Sequence, residues 1–114
     1  RNFFRAAKQQ GADIDFVVLR ENTEGLYTFM GGIFKKGTPD EIAIQEEVNT
    51  RKGVERIIEA AFDLAERTGR RKVTLADKSN AMTYGHDLWR RAFKEVGERH
   101  QNFLPKDEGR PFWR

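Results

Sequence analysis

With 114 residues, 38% of them apolar and 34% charged, the chain has material for one small core. It has no cysteine, which excludes disulfides, thiolate zinc sites and cysteine nucleophiles and suits a cytoplasmic setting; no stretch reads as a signal peptide or reaches the ~20 apolar residues of a membrane span. The 21 basic and 18 acidic residues leave a net charge of +3 and are interspersed, so neither a nucleic-acid nor a membrane partner is expected.

The first segment, "NFFRAAKQQ", reads as a short amphipathic helix ended by Gly11. "IDFVVLR", residues 14–20, is a continuous apolar run of strand length, the pattern of a strand buried on both faces. After the break at "ENTEG", residues 26–48 predict a hairpin. "LYTFMGGIFKK" is extended with a bend or bulge at Gly31 and Gly32, "GTPD" supplies the turn with Pro39 and a capping Asp40, and "EIAIQEEV" alternates. Thr50 is a good N-cap for a helix carrying Val54, Ile57, Ile58, Ala61, Phe62 and Ala65 on one face, with Arg56, Glu59, Asp63 and Glu66 on the other; Gly69 stops it. "KVTLA" predicts a strand, and residues 84–99 a second helix with Leu88, Trp89, Ala92, Phe93 and Val96 on its apolar face. Residues 101–114 lack any period and contain two prolines, an irregular tail. The order is that of an α/β arrangement, and the hairpin, with Phe29, Ile33, Phe34, Ile42 and Ile44, needs a cover that a partner chain would supply.

Two stretches carry candidate chemistry. Arg20 ends a strand, where open α/β sheets bind ligands, and its planar fork suits a carboxylate; Tyr27, seven residues on, offers a phenol that can pass a proton. Taken alone, Arg20 can equally pair with Glu21 or Glu24, and Tyr27 can be half-core. In "ADKSNAM", Lys78 follows a strand, where partial desolvation would lower its pKa toward proton transfer, and Asn80 offers a donor and an acceptor. The alternative is a capped turn with Lys78 in water. His86 and His100 lack a neighbouring carboxylate pattern, so no metal is expected there. Trp89 and Phe93 read as core rather than a base-stacking platform. "TFMGGIF" has no phosphate-loop spacing.

Together, "DFVVLRENTEGLY", "GTPDEIAIQEEVNTRKGVERIIEAAFDLA" and "VTLADKSNAM", in that order, resemble the metal-dependent β-decarboxylating dehydrogenases, the family of the isocitrate, homoisocitrate, 3-isopropylmalate and tartrate/malate enzymes. The middle stretch is most similar to the tartrate/isopropylmalate branch. The resemblance implies the α/β fold of an isopropylmalate/isocitrate dehydrogenase-like small domain, present in part over residues 1–100, with a hairpin arm that clasps a second copy in a homodimer. It implies oxidative decarboxylation of a 2-hydroxy acid with a neighbouring carboxylate, using NAD or NADP and Mg2+ or Mn2+. By the same resemblance Arg20 binds substrate carboxylate, Tyr27 protonates the enol, and Lys78, contributed to the other subunit's site, assists proton removal from the hydroxyl. Asn80 lies near both cofactor and substrate. Departures from the family are equally plain. Its metal-binding aspartates lie on later segments and Asp107 is not in their setting, so no metal ligand is assigned. Its adenine-binding stretch, its dinucleotide-side domain and its upstream arginine-bearing helix are not matched. The expectation is a piece of such an enzyme without turnover of its own, or a non-catalytic dimerisation module derived from one.

Overall fold

The computed structural model describes residues 2–8 and 15–100. Gly11 and the tail expected at 101–114 lie outside the described residues. Two helices, two two-stranded antiparallel sheets and the connections between them make up the α/β architecture.

β1 (Asn2–Lys8) pairs with β2 (Asp15–Glu21) in a register running from Asn2↔Glu21 to Lys8↔Asp15. The first segment is therefore a strand, not the expected helix. Its mix of Phe and Ala fits either period, and pairing along the edge of β2 decides between them. β2 is also not buried on both faces. Leu19 packs on the helical core, whereas Phe16 and Val18 remain 50% and 49% exposed. One helix layer covers one face of this sheet, and an open groove of about 960 Å³ runs along it, lined in part by Arg20, Arg70, Arg71 and Lys72.

A 3-10 turn at Leu26–Thr28 replaces the first part of the expected hairpin. β3 (Gly31–Phe34) and β4 (Ile42–Gln45) form the rest, paired from Gly31↔Gln45 to Phe34↔Ile42. Gly31 has φ +151°, and a Cβ there would collide with the Ile44 carbonyl oxygen, so the glycine serves close approach of the two backbones. In the connecting turn Lys35 adopts a left-handed φ of 53° and its carbonyl accepts both the N–H and the hydroxyl of Thr38. The carboxylate that closes the turn is that of Glu41, which accepts the Gly37 N–H at 2.7 Å, rather than that of Asp40. Every residue of β3 and β4 is exposed.

α1 (Arg51–Thr68) starts where expected: the Thr50 hydroxyl accepts the Gly53 N–H at 3.1 Å, and Gly69, in the left-handed region, closes the other end. α2 is Thr83–His100. Val54, Ile57, Ile58, Phe62 and Ala65 of α1 meet Ala92, Phe93 and Val96 of α2, with the Phe62 and Phe93 rings 5.6 Å apart. Between the helices, Val73 is buried and Leu75 packs on the core, but the stretch expected as a strand holds a single bridge residue, Val73. Its apolar alternation is met by side-chain burial without a hydrogen-bond ladder.

Candidate active site

Arg20 leaves the end of β2 exposed, and its guanidinium carbon lies 5.0 Å from the centre of the Tyr27 ring. The alternative pairing of Arg20 with Glu21 or Glu24 is not made; both carboxylates are engaged elsewhere. Glu24 turns toward the start of α1, where it accepts the Thr50 N–H at 3.0 Å and the Thr50 hydroxyl at 2.5 Å. Gly53 makes room for it, since a Cβ there would stand 2.5 Å from the carboxylate. Glu21 is bound by the N–H and hydroxyl of Thr23 and lies 3.7 Å from Arg56. Burial pushes its pKa up, but the Thr23 bonds and the Arg56 charge outweigh this and hold it below the ordinary value. Gly25, at φ 69°, exchanges two backbone hydrogen bonds with Val48 and so fixes the turn that delivers Tyr27.

Lys78 and Asn80 sit in a tight turn before α2. The Asp77 carboxylate accepts the Ser79 N–H at 2.9 Å, a bond that with the Ser79 hydroxyl holds its pKa below the ordinary value, and the Lys78 carbonyl accepts the N–H groups of Ala81 and Met82. The Lys78 N–H donates to His86 Nδ1 at 2.8 Å, and His86 Nε2 lies 3.3 Å from Glu47. One turn on, Trp89 donates its indole N–H to Asn49 at 2.9 Å. The side chains of Lys78 and Asn80 are exposed, so the desolvated lysine expected from its place after a strand is not found in the single chain.

A cleft of about 280 Å³ separates the two motifs, with Tyr27, Glu24, Glu47, Asp77, His86 and Trp89 among its lining. Of the four candidate residues, Arg20 and Tyr27 are brought together, Tyr27 lines the cleft, and Lys78 and Asn80 stand outside it on the adjoining turn. Sequence reading assigned no role in the site to Glu24, Glu47, Asn49 or His86; the glycines at 53 and 85, each backed by a carboxylate, were the available signal.

The cleft does not fit a divalent cation. Its carboxylates are each committed to this chain: Glu24 to Thr50, Glu47 to His86, Asp77 to Ser79 and Glu21 to Thr23. Among the described residues, the group with metal-ligand spacing is Glu59, Asp63 and His100, on the helix pair and containing none of the four candidates. There His100 is held at 2.6 Å and 2.7 Å by Glu66 and Glu59 and stacks on Phe62 at 5.2 Å. Glu59 also takes Arg99 at 2.7 Å. The carboxylates absent from the histidine's own neighbourhood in sequence are thus supplied by the facing helix. The polar face of α1 carrying Glu59 and Glu66 is in part a polar seam between the helices.

The isocitrate/isopropylmalate dehydrogenase family model matches residues 2–105, and the chain belongs to that family. It is 53% identical over 85 residues to a 3-isopropylmalate dehydrogenase of Thermobifida fusca, and 53% identical over 83 residues to a tartrate dehydrogenase/decarboxylase of Pseudomonas putida. These matches take in 75% and 73% of this chain, but the chain spans only 24% and 23% of those relatives. Among solved structures, an isocitrate dehydrogenase from Methylococcus capsulatus superposes with a TM-score of 0.76 at 34% identity, over 90% of this chain and 32% of the other.

Proposed function

We propose that this chain, with residues 1–100 as part of the small domain, supplies one half of an active site in an enzyme that oxidatively decarboxylates a 2-hydroxy acid bearing a neighbouring carboxylate. The observation that carries the reading is the division of the candidate residues. Arg20 and Tyr27 are stacked at the end of β2, while Lys78 is exposed on a separate turn before α2. Such a division suits a homodimer in which Lys78 and Asn80 complete the partner's site. It also gives Ile33, Phe34, Ile42 and Ile44, each about half exposed, a second copy to pack against. Arg20 then binds a substrate carboxylate through its fork. Lys78 of the partner takes the hydroxyl proton, Asn80 steadies substrate and cofactor, and Tyr27 returns a proton to the enol after CO2 has left. NAD or NADP would accept the hydride, and Mg2+ or Mn2+ would polarise the resulting carbonyl. The metal would need ligands other than these carboxylates, each of which is committed within this chain. The isolated chain then shows no turnover, and its setting is the cytoplasm. The half-exposed outer face of β2, with Phe16 and Val18, is where a further layer of the fold would pack.

A graft tests this. Residues 15–100 are exchanged into the Thermobifida fusca relative, and NADH formation is followed. Lys78→Met and Tyr27→Phe should each lower kcat by about 10²–10⁴-fold. Mixing the two dead variants should restore roughly a quarter of the activity, because half of the dimers are mixed and each holds one intact site. A folded, dimeric graft whose mixed variants stay dead would refute the division of the site between copies.

A further inference from the structure

His86 lies on the first turn of α2, with only 18% of its side chain exposed, facing a Glu47 side chain exposed to the same degree. Both ring nitrogens are engaged: Nδ1 with the Lys78 N–H at 2.8 Å and Nε2 with Glu47 at 3.3 Å. A backbone N–H only donates, so Nδ1 must accept and carries no proton; the ring proton then sits on Nε2, facing the carboxylate. We propose that His86 is a positioning residue: as the Nε2–H tautomer, with its Nε2 facing Glu47, it accepts the Lys78 N–H on Nδ1, pins the backbone of Lys78 and so fixes the turn that presents Lys78 and Asn80. This deepens the reading of Lys78 as the proton-transfer residue and rests on it for its purpose.

The surrounding geometry is built around that contact. The Lys78 carbonyl is taken by Ala81 and Met82 and its N–H by His86, so both backbone polar groups of the lysine are fixed and only the side chain is left to move. Glu47 can reach the ring because the segment before α1 lies directly on the first turn of α2. A Cβ at Gly85 would stand 2.5 Å from Asn49 Nδ2 and 3.0 Å from Glu47 Oε2. The hairpin exit, the lysine turn and α2 therefore meet at one imidazole.

The test uses the 114-residue chain and two readouts, the imidazole 15N spectrum of the neutral ring and amide exchange at Lys78. Asn at position 86 places its amide oxygen where Nδ1 stands, whereas Gln mimics Nε2 and Phe keeps only the ring. The spectrum should show an unprotonated Nδ1. Lys78 exchange should accelerate by roughly tenfold or more in His86→Phe and His86→Gln, but by no more than about threefold in His86→Asn. A protonated Nδ1, or unchanged Lys78 exchange in His86→Phe, overturns the proposal. Should the variants unfold, seen as equal acceleration at Val54 and Val96, the tautomer of the unmutated chain decides by itself. Neither readout involves turnover, so a failure here is separable from a failure of the enzymatic reading.

Discussion

Gly53→Ala sets two effects of opposite sign against each other. In the first turn of a helix, alanine is favoured over glycine by about 1 kcal/mol, through lower backbone entropy in the unfolded chain. The new Cβ, however, would stand 2.5–2.6 Å from the carboxylate atoms of Glu24. That carboxylate is the far end of a flexible side chain, yet it is held by the Thr50 N–H and hydroxyl at 3.0 and 2.5 Å. Displacing it forfeits hydrogen bonds to a charged acceptor, worth about 1.5–3 kcal/mol. The loss wins, and Gly53→Ala should destabilise the chain by roughly 0.5–2 kcal/mol. In a Glu24→Ala background the obstruction is gone, and the same substitution should stabilise by about 1 kcal/mol. Urea denaturation of the four proteins of this cycle, followed by helix circular dichroism, gives both values and their coupling. Equal destabilisation in both backgrounds would place the cost in the backbone at 53 and refute the seating of Glu24; stabilisation in both would mean that the carboxylate yields freely.

Phe62→Ala removes a fully buried ring from between α1 and α2 and should cost about 3–5 kcal/mol, a large share of the ~5–15 kcal/mol of an ordinary domain, readable as a lower urea midpoint. His100 carries a pH dependence: burial lowers its pKa, but the hydrogen bonds and charges of Glu66 and Glu59 outweigh that and raise it. A raised folded value means that its contribution is full below the unfolded value near 6.5 and is lost as pH rises through the folded one, so thermal stability should fall across that interval and the fall should vanish in His100→Gln. For Glu59 burial raises the pKa, and the bonds to Arg99 and His100 outweigh it and lower it, so its contribution is lost as pH falls through that depressed value. Ile33→Lys with Phe34→Lys places two charges on the uncovered hairpin; light scattering at micromolar concentration should show a dimer for the parent chain and a monomer for the variant, and a monomeric parent would remove the clasp.

What could be read from the sequence was whatever is encoded locally. α1 announced itself through Thr50, a 3.6-residue apolar stripe and Gly69, all signals within a turn of the element they define. The hairpin was legible for the same reason, from alternation around a glycine-containing turn. Residues 2–8 were not, because their state is set by pairing with β2, and residues 74–76 were not, because burial satisfied their alternation without a ladder. The site divides in the same way. Arg20, Tyr27, Lys78 and Asn80 stand out as motifs, but the ties that fasten their turns to the rest of the fold lie far off in the chain. Glu24 reaches Thr50 across 26 residues and Trp89 reaches Asn49 across 40. No periodicity carries such pairings.

Those distant ties converge on four consecutive residues. Glu47 faces His86, which pins the Lys78 turn; Val48 bridges Gly25, ahead of Tyr27; Asn49 takes the Trp89 indole on α2; Thr50 caps α1 and binds Glu24. Each contact is polar and modest alone, about 1 kcal/mol, with the bonds to the Glu24 carboxylate worth somewhat more. Their value is geometric. "EVNT" is also the segment by which the hairpin returns to α1, so the exposed arm and both candidate motifs hang from the same short piece of backbone. A second copy that ordered the hairpin would act directly on the turn carrying Tyr27 and, through His86, on the turn carrying Lys78. A dimer of the proposed kind would thus couple its interface to the placing of both candidate turns through this one segment.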